Sequence, residues 1–336
     1  MQLVTLIVAC LLWLAPAARA EPSVQPEPTT LIVALDGSGQ YRSIQEAVDA
    51  AKKGDTILIK PGAYAEDVTI HSKEKIRLVG AGMDQVTILG RERVGVFHVG
   101  KWPYGATDVE IVGLTINEHG GHAVGIFNGR GITLRHSRVK GMLFIQQVEG
   151  AHIEDCIIGG SETTGVQFSK AQATLRGNFI HDNDHGVSVA GNSDVRLERN
   201  VITRSLFEAV VVYDSSRATL ISNTLVKNGG GAAFLGTSQN SASGNIVSLN
   251  KYGFLVGPSS KVGLSFNALQ NSEANYLRQG DPNQAAPDLK PESDLAVDPR
   301  FVDTGHDDFR LRPDTTLVKI GEFSYLGALP PLVEAH

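Results

Sequence analysis

The sequence predicts an all-β chain, a right-handed parallel β-helix (solenoid) of about ten coils with an N-terminal capping helix. Three observations carry this. Asn178, Asn200, Asn223, Asn245 and Asn267 recur at intervals of 22, 23, 22 and 22 residues, the mark of one supersecondary unit stacked on itself. Each asparagine follows an alternating apolar run such as Val195-x-Leu197 and precedes two apolar residues such as Val201-Ile202. A third run lies about ten residues further on, as in Gly186-Val187-Ser188-Val189. Three short strands per repeat make one triangular coil, and stacking at about 4.8 Å pairs every backbone amide with the coil above and below.

In chain order, residues 1–20 hold an apolar run from Leu3 to Leu14 and then Ala18-Arg19-Ala20, the small-x-small pattern cut by a signal peptidase. The run is shorter than the ~20 residues that span a bilayer, so a removed export signal is expected rather than an anchor. Residues 21–30 are Pro-rich and read as a linker. Residues 31–54 read as an N-terminal cap: a strand Leu31–Leu35, a turn at Asp36-Gly37-Ser38-Gly39, and a short helix. In Ser43-Ile44-Gln45-Glu46, Ser43 and Glu46 are expected to satisfy each other's exposed amides as a capping box. The apolar stripe Ile44, Ala47, Val48, Ala51 then suits a plug for the first coil.

The solenoid is expected over 55–280. Asparagine is placed at the corner between the second and third strands, where a left-handed backbone is tolerated and stacked amides form a ladder. Asp155 extends that register one step toward the N-terminus. A leucine-rich repeat is excluded because the positions eight residues before each asparagine, Lys170, Asn192, Ser215, Thr237 and Ser259, are all polar. Residues 281–336 lack the repeat and are expected to fold back over the last coil, protecting its strand edges.

The chain has 36 acidic and 30 basic residues and no Lys/Arg cluster, so nucleic acid is not an expected partner. Loss of the signal removes Cys10 and leaves Cys156 alone in an apolar stretch, read as a buried, inert thiol. No intramolecular disulfide is then available. The mature chain is expected in the periplasm or outside the cell, with no membrane contact after cleavage.

Residues 36–70, DGSGQYRSIQEAVDAAKKGDTILIKPGAYAEDVTI, resemble the opening of pectinesterases and of exported β-helix repeat proteins such as those like NosD, a periplasmic maturation protein. The asparagine-spaced coils resemble the carbohydrate-binding and sugar-hydrolysis repeats of the pectate-lyase-like superfamily. Gly62-x-Tyr64-x-Glu66 matches the first pectinesterase motif, with Gly62 expected at a turn and Tyr64 beside the capping helix. The later pectinesterase segments QDTL, DFIFG and LGRPW have no counterpart, which disfavours pectin demethylation on this reading. The DPH motif of the alginate epimerases is also absent, as is the carboxylate cluster of calcium-dependent pectate lyases.

A long ligand meets a β-helix along columns of outward side chains. On the Gly-Val-x-Val strand that column is read as Gly125, Phe144, Gln167, Ser188, Val211, Phe234 and Leu255, turning apolar toward the C-terminus. Titratable groups gather just before this strand: His122, His185 and Glu208, with Asp184 beside His185 and Tyr213 at a strand end. Glu, His and Tyr suit acid-base work in a cleft, and Arg204 is the candidate cation for a uronate carboxylate. His119, His122, His181 and His185 fall in different coils, so no metal site is assigned, and no cofactor is named. The expected function is binding, and possible lyase, epimerase or hydrolase processing, of a polysaccharide or oligosaccharide. The alternatives are a non-enzymatic scaffold with a periplasmic protein partner and a structural surface repeat protein.

Overall fold

A computed structural model describes residues 27–91, 95–280 and 286–332. The expected signal segment and most of the linker lie outside the described residues. Three columns of parallel strands wind into a right-handed solenoid of about 11 turns. The first face is an 11-stranded sheet running from Thr30–Val33 to Lys261–Ser265. The second and third faces are joined where Thr115–Phe127 and Arg138–Gln146 run through both without a break. Eleven rungs at about 4.8 Å give a rod close to 50 Å long.

The first strand begins at Thr30, inside the expected linker, because Thr29 N–H already donates to Asp55 Oδ1 at 2.7 Å. The helix spans Ile44–Ala50 and buries Ile44, Ala47 and Val48 in the main core, against the first strands of the solenoid. Ser43 Oγ does accept from Glu46 N–H at 3.3 Å. The carboxylate that closes the cap is not Glu46, however, but Glu66 of the next coil. It accepts from Ser43 Oγ (2.7 Å), Ile44 N–H (2.8 Å) and Gln45 N–H (3.0 Å). A local motif is thus completed by a long-range residue. Tyr64 is buried in the same core and donates to Lys60 C=O at 2.8 Å, while Gly62 makes room for Leu35, which a Cβ would meet at 2.8 Å.

The asparagines do stack one rung apart. Asn178, Asn200, Asn223, Asn245 and Asn267 are buried, and each Nδ2 donates to the next Oδ1 at 2.9–3.0 Å until Asn267 reaches Asp294 at 3.2 Å. Each Oδ1 also accepts the preceding rung's asparagine N–H, so one side chain satisfies two donors. The left-handed residue is instead the one before each asparagine: Gly177, Arg199, Ser222, Gly244 and Phe266, with φ from 51° to 67°. Asp155 (φ 50°) belongs to that set, and Cys156 occupies the ladder position, donating its N–H to Asn178 Oδ1 at 3.0 Å. Asp155 therefore does not extend the ladder. Cys156 is buried, and desolvation pushes its thiol up to about 12.

A second ladder runs along the next corner, where Asn228, Asn250 and Asn271 accept from the N–H groups of Ser205, Asn228 and Asn250 at 2.8–3.1 Å. The C-terminal segment differs from expectation. Asp294 and Leu295 close the last rung. The chain then runs back along the flank as two antiparallel hairpins, Phe301–Asp303 with Asp308–Leu311 and Val318–Ile320 with Phe323–Tyr325. Phe301, Phe309, Leu311, Leu317 and Leu326 form a second core with Val201, Val226, Ile246 and Ala268, side chains of the outer side of the second face. The tail covers these side chains, and Thr224 between Val201 and Ile246 accepts a hydrogen bond from the tail's Ala328 N–H at 2.9 Å.

Candidate functional site

Parallel registration makes the corner between the second and third faces a column, in which Thr164, His185, Glu208, Gly230, Tyr252 and Ala274 sit on successive rungs. Three of these meet. Tyr252 OH donates to Glu208 Oε1, and His185 Nδ1 lies 3.1 Å from Glu208 Oε2. Tyr252 reaches across Gly230, where a Cβ would sit 2.3 Å from its ring, so the absent side chain is what lets the two rungs communicate. The His185 ring stacks on Phe207, with centroids 5.1 Å apart at 28°.

Burial alone would raise the Glu208 carboxyl, but the contacts from His185 and Tyr252 outweigh it and hold it below the usual carboxylate range. Burial, followed by the bond to Glu208, pushes the Tyr252 phenol upward. Tyr213, which immediately follows the Glu208 strand, is raised by burial and by the Glu208 charge. An ionised carboxylate therefore lies between the His185 imidazole and the protonated Tyr252 phenol. His185 Nδ1 is buried and faces Glu208 at ion-pair distance without a formed hydrogen bond, so Nε2 is the nitrogen turned away from the carboxylate.

The structure brings His185 and Glu208 together, leaves Tyr213 near enough to feel the Glu208 charge, and adds Phe207 and Tyr252. Tyr252 lies two rungs from Glu208, and the signal for it was Gly230 between them in the repeat. Asp184 is placed by its main chain, its carbonyl accepting from Phe207 N–H at 2.8 Å. His122 shares the column's line but pairs with Met142, three rungs before His185. Arg204 does not serve as a free cation. It is held by Asp182, at 2.7 and 2.9 Å, and by Asp307 of the tail, so its charge is spent anchoring the tail. The expected outward column also needs correction: Ala233, not Phe234, stands in line with Val211 and Leu255, and Phe234 points into the core. Val211 and Ala233 are themselves fully buried, so this row offers no apolar docking surface. Exposed apolar side chains lie instead at Leu206, Phe207 and Leu249.

Beside His122 the same corner opens into a cleft of about 960 Å³. Glu118, Lys140, Glu162 and His181 line it, and Gly121, Gly159 and Gly160 contribute to its wall. Glu118 lies over Gly141, burial and Glu162 raise its carboxyl, and its Oε2 is buried without a partner. The side chain of His119 lies outside what the structure describes.

Comparison with known proteins agrees with this architecture. A family model described as a right handed beta helix region matches residues 104–269, and the pectinesterase model matches residues 30–114. The structure of pectate lyase Pel9A superposes with a TM-score of 0.56 at 14% identity, over 90% of this chain and 96% of that one. The mannuronan C-5 epimerase AlgE4 A-module of Azotobacter vinelandii gives 0.51 at 16% identity, over 72% of this chain and 88% of its own. These two likenesses concern the fold. The chain folds as a right-handed parallel β-helix.

Curated relatives bear on the reaction. A pectinesterase of Petunia integrifolia is 30% identical over 164 residues, 43% of this chain and 42% of the relative. A probable pectinesterase/pectinesterase inhibitor of Arabidopsis thaliana is 28% identical over 186 residues, 49% of this chain and 32% of the relative. The chain spans less than half the length of these pectinesterases. The exclusion of pectinesterase drawn from missing later segments is therefore overturned: family model and relatives alike point to that class. The exclusion failed because it weighed segments of the later coils and set aside the opening coils, where the match falls.

Proposed function

We propose that the protein is exported and processes a pectin-type polysaccharide, hydrolysing its methyl esters, with His185, Glu208 and Tyr213 as the acting group and Tyr252 as its support. The carrying observation is the Glu208 carboxylate shared between His185 Nδ1 and Tyr252 OH. The β-helix fold and the pectinesterase relatives support the substrate class, and the apolar run before Ala20 supports export. Among the described residues no helix is long and apolar enough to cross a membrane.

In this reading a water attacks the ester carbonyl while His185 Nε2 takes its proton, as general base. Glu208 stabilises the imidazolium, and the protonated Tyr213 phenol donates to the oxyanion. The imidazolium then returns the proton to the departing methoxide, leaving methanol and a galacturonic acid group that releases its own proton to solvent. Chemistry thus comes from coils in which the family's later segments have no counterpart.

The test is methanol release from highly methyl-esterified pectin, with unsaturated and reducing ends measured on pectate and neutral glycans in parallel. His185→Ala and Glu208→Gln should each lower turnover about 10²–10⁴-fold. Unchanged methanol release in both variants would remove the assignment. The exposed Leu206, Phe207 and Leu249 favour a second reading, a protein-binding scaffold; silence on every glycan with retained binding of a periplasmic protein would select it.

A further inference from the structure

Outside the Glu208 group, one contact has no role in the proposed ester hydrolysis. His98 and His122 come from successive rungs of the third face, and their Nε2 atoms lie 2.9 Å apart. The rings are tilted at 48° with centroids 5.1 Å apart. Gly125 is the register partner of His98, and its missing side chain leaves the gap into which His122 leans: a Cβ there would sit 2.9 Å from His122 Nε2. Gly95 borders the same point, its Cβ position lying 2.1 Å from His98 Nε2 and 2.8 Å from His122 Nε2. Phe127 stands edge-on to both imidazoles, at 5.7 and 5.8 Å, and Phe144 flanks His122 at 6.2 Å.

Two imidazole nitrogens facing each other repel through their lone pairs unless something positive lies between them. Either one of them carries the proton and donates it to the other, or a cation is shared. With metal–nitrogen bonds of about 2.05 Å, a nitrogen separation of 2.9 Å corresponds to an angle of about 90° at the metal, a cis pair of an octahedral or square-planar ion. A second, independent feature points the same way. The cleft that His122 lines also holds Glu118, whose buried Oε2 has no partner, the kind of orphaned acceptor that a missing cation explains.

We propose that His98 and His122 form the two-imidazole core of a binding site for a first-row divalent transition metal, open on its cleft side to water or to an oxygen of a bound sugar. Among the described residues no three His, Cys, Asp or Glu side chains already converge as a metal site. The two imidazoles are therefore the protein's inner ligands, and solvent completes the shell. Glu118 lines the same cleft as His122. The inference stands apart from the ester hydrolysis proposed above, since it is read out by metal binding without any glycan.

The experiment titrates the mature protein with Zn(II) against a chromophoric chelator and with Co(II) while recording its visible absorption. One ion per chain is expected to bind saturably, with Co(II) bands that shift on binding. His98→Ala and His122→Ala should each weaken binding at least tenfold, and His306→Ala, at an exposed histidine paired with Asp303, should leave it unchanged. Because a core-flanking variant can fail to fold, the unmodified protein supplies the second measurement. Zn(II) should protect His98 and His122, and not His306, from acylation by diethyl pyrocarbonate, read by peptide mass spectrometry. Absence of saturable binding, affinity in both alanine variants equal to that of the unmodified protein, or equal acylation with and without zinc would each overturn the proposal.

Discussion

The two halves of the solenoid solve the same stacking problem with different means. From Asn178 to Asn267 the rungs are 22 or 23 residues long, their corners are tied by asparagine ladders, and the tail closes one flank. Before Asn178 the ladder position holds Leu114, Ser137 and Cys156, and the rung from Arg138 to Ile157 shortens to 19 residues. There the second and third faces are welded by strands that run through both. A corner satisfied by side-chain amides can be tight and repetitive. One satisfied by continuous strand leaves glycine-rich openings, and the cleft at Glu118 and His122 sits there. The Glu208 group stands on the laddered half, where rigid rungs can hold three side chains in fixed relation.

The largest break in this contrast comes from removing the tail after Val297. It deletes five buried apolar side chains, Phe301, Phe309, Leu311, Leu317 and Leu326, and bares the solenoid side chains they cover. At about 1.5–3 kcal/mol for each such side chain, the loss is on the order of 5 kcal/mol or more. Denaturant unfolding should show it, together with dye binding at the bared side chains of Val201, Val226 and Ile246. An unchanged midpoint would mean the tail is an ornament of the flank.

A ladder variant sharpens the comparison next. Asn223→Ala removes the acceptor for both Asn200 N–H and Asn200 Nδ2, and the donor to Leu197 C=O. The stranded buried groups should cost about 2–4 kcal/mol. Cys156→Ser, at the equivalent place in the other half, keeps a donor for Glu154 C=O and should cost less than about 1 kcal/mol. Equal costs would remove the distinction between the halves. Glu66→Ala, which uncaps the first helix, should fall between these at about 1–2 kcal/mol, visible as a lower midpoint.

The smallest effect is a pH dependence at the tail anchor. The bond from Arg204 holds Asp182 down to about 2, with His181 assisting. A carboxylate depressed in the folded state stabilises it above its unfolded value, near 3.9, and loses that contribution as pH falls through the folded value. Exchange of the amides around Asp307 should therefore rise between about pH 4 and pH 2, and Asp182→Asn should flatten the rise.

Much of this was legible in the residues. The asparagine period gave the rung length, the stacking and the ladder, because a buried amide at a corner leaves a sequence mark wherever it recurs. Its placement relative to the left-handed residue was not legible. Gly177 and Gly244 hint at it, but Arg199, Ser222 and Phe266 do not look like residues that need positive φ. The second ladder was hidden because its register mixes Ser205 with Asn183 and Asn228. At the candidate site, His185, Glu208 and Tyr213 were singled out by their shared place before and after one strand, and the sequence alone could not show which of them touch. Tyr252 and His98 were not singled out, since their contacts cross rungs through Gly230 and Gly125, and a glycine gap in a neighbouring coil carries no chemistry of its own. Arg204 was misjudged because the tail's path back along the flank cannot be read from a segment without the repeat.

Native-state hydrogen exchange read peptide by peptide along the mature chain tests the central contrast most directly. Strands on the laddered rungs, such as Glu208–Val212 and Gly230–Phe234, are predicted to exchange only through global unfolding. Strands such as Phe97–Val99 and Arg138–Gln146 are predicted to open at lower free energy. Uniform protection along the rod, or faster exchange in the laddered half, would contradict the account.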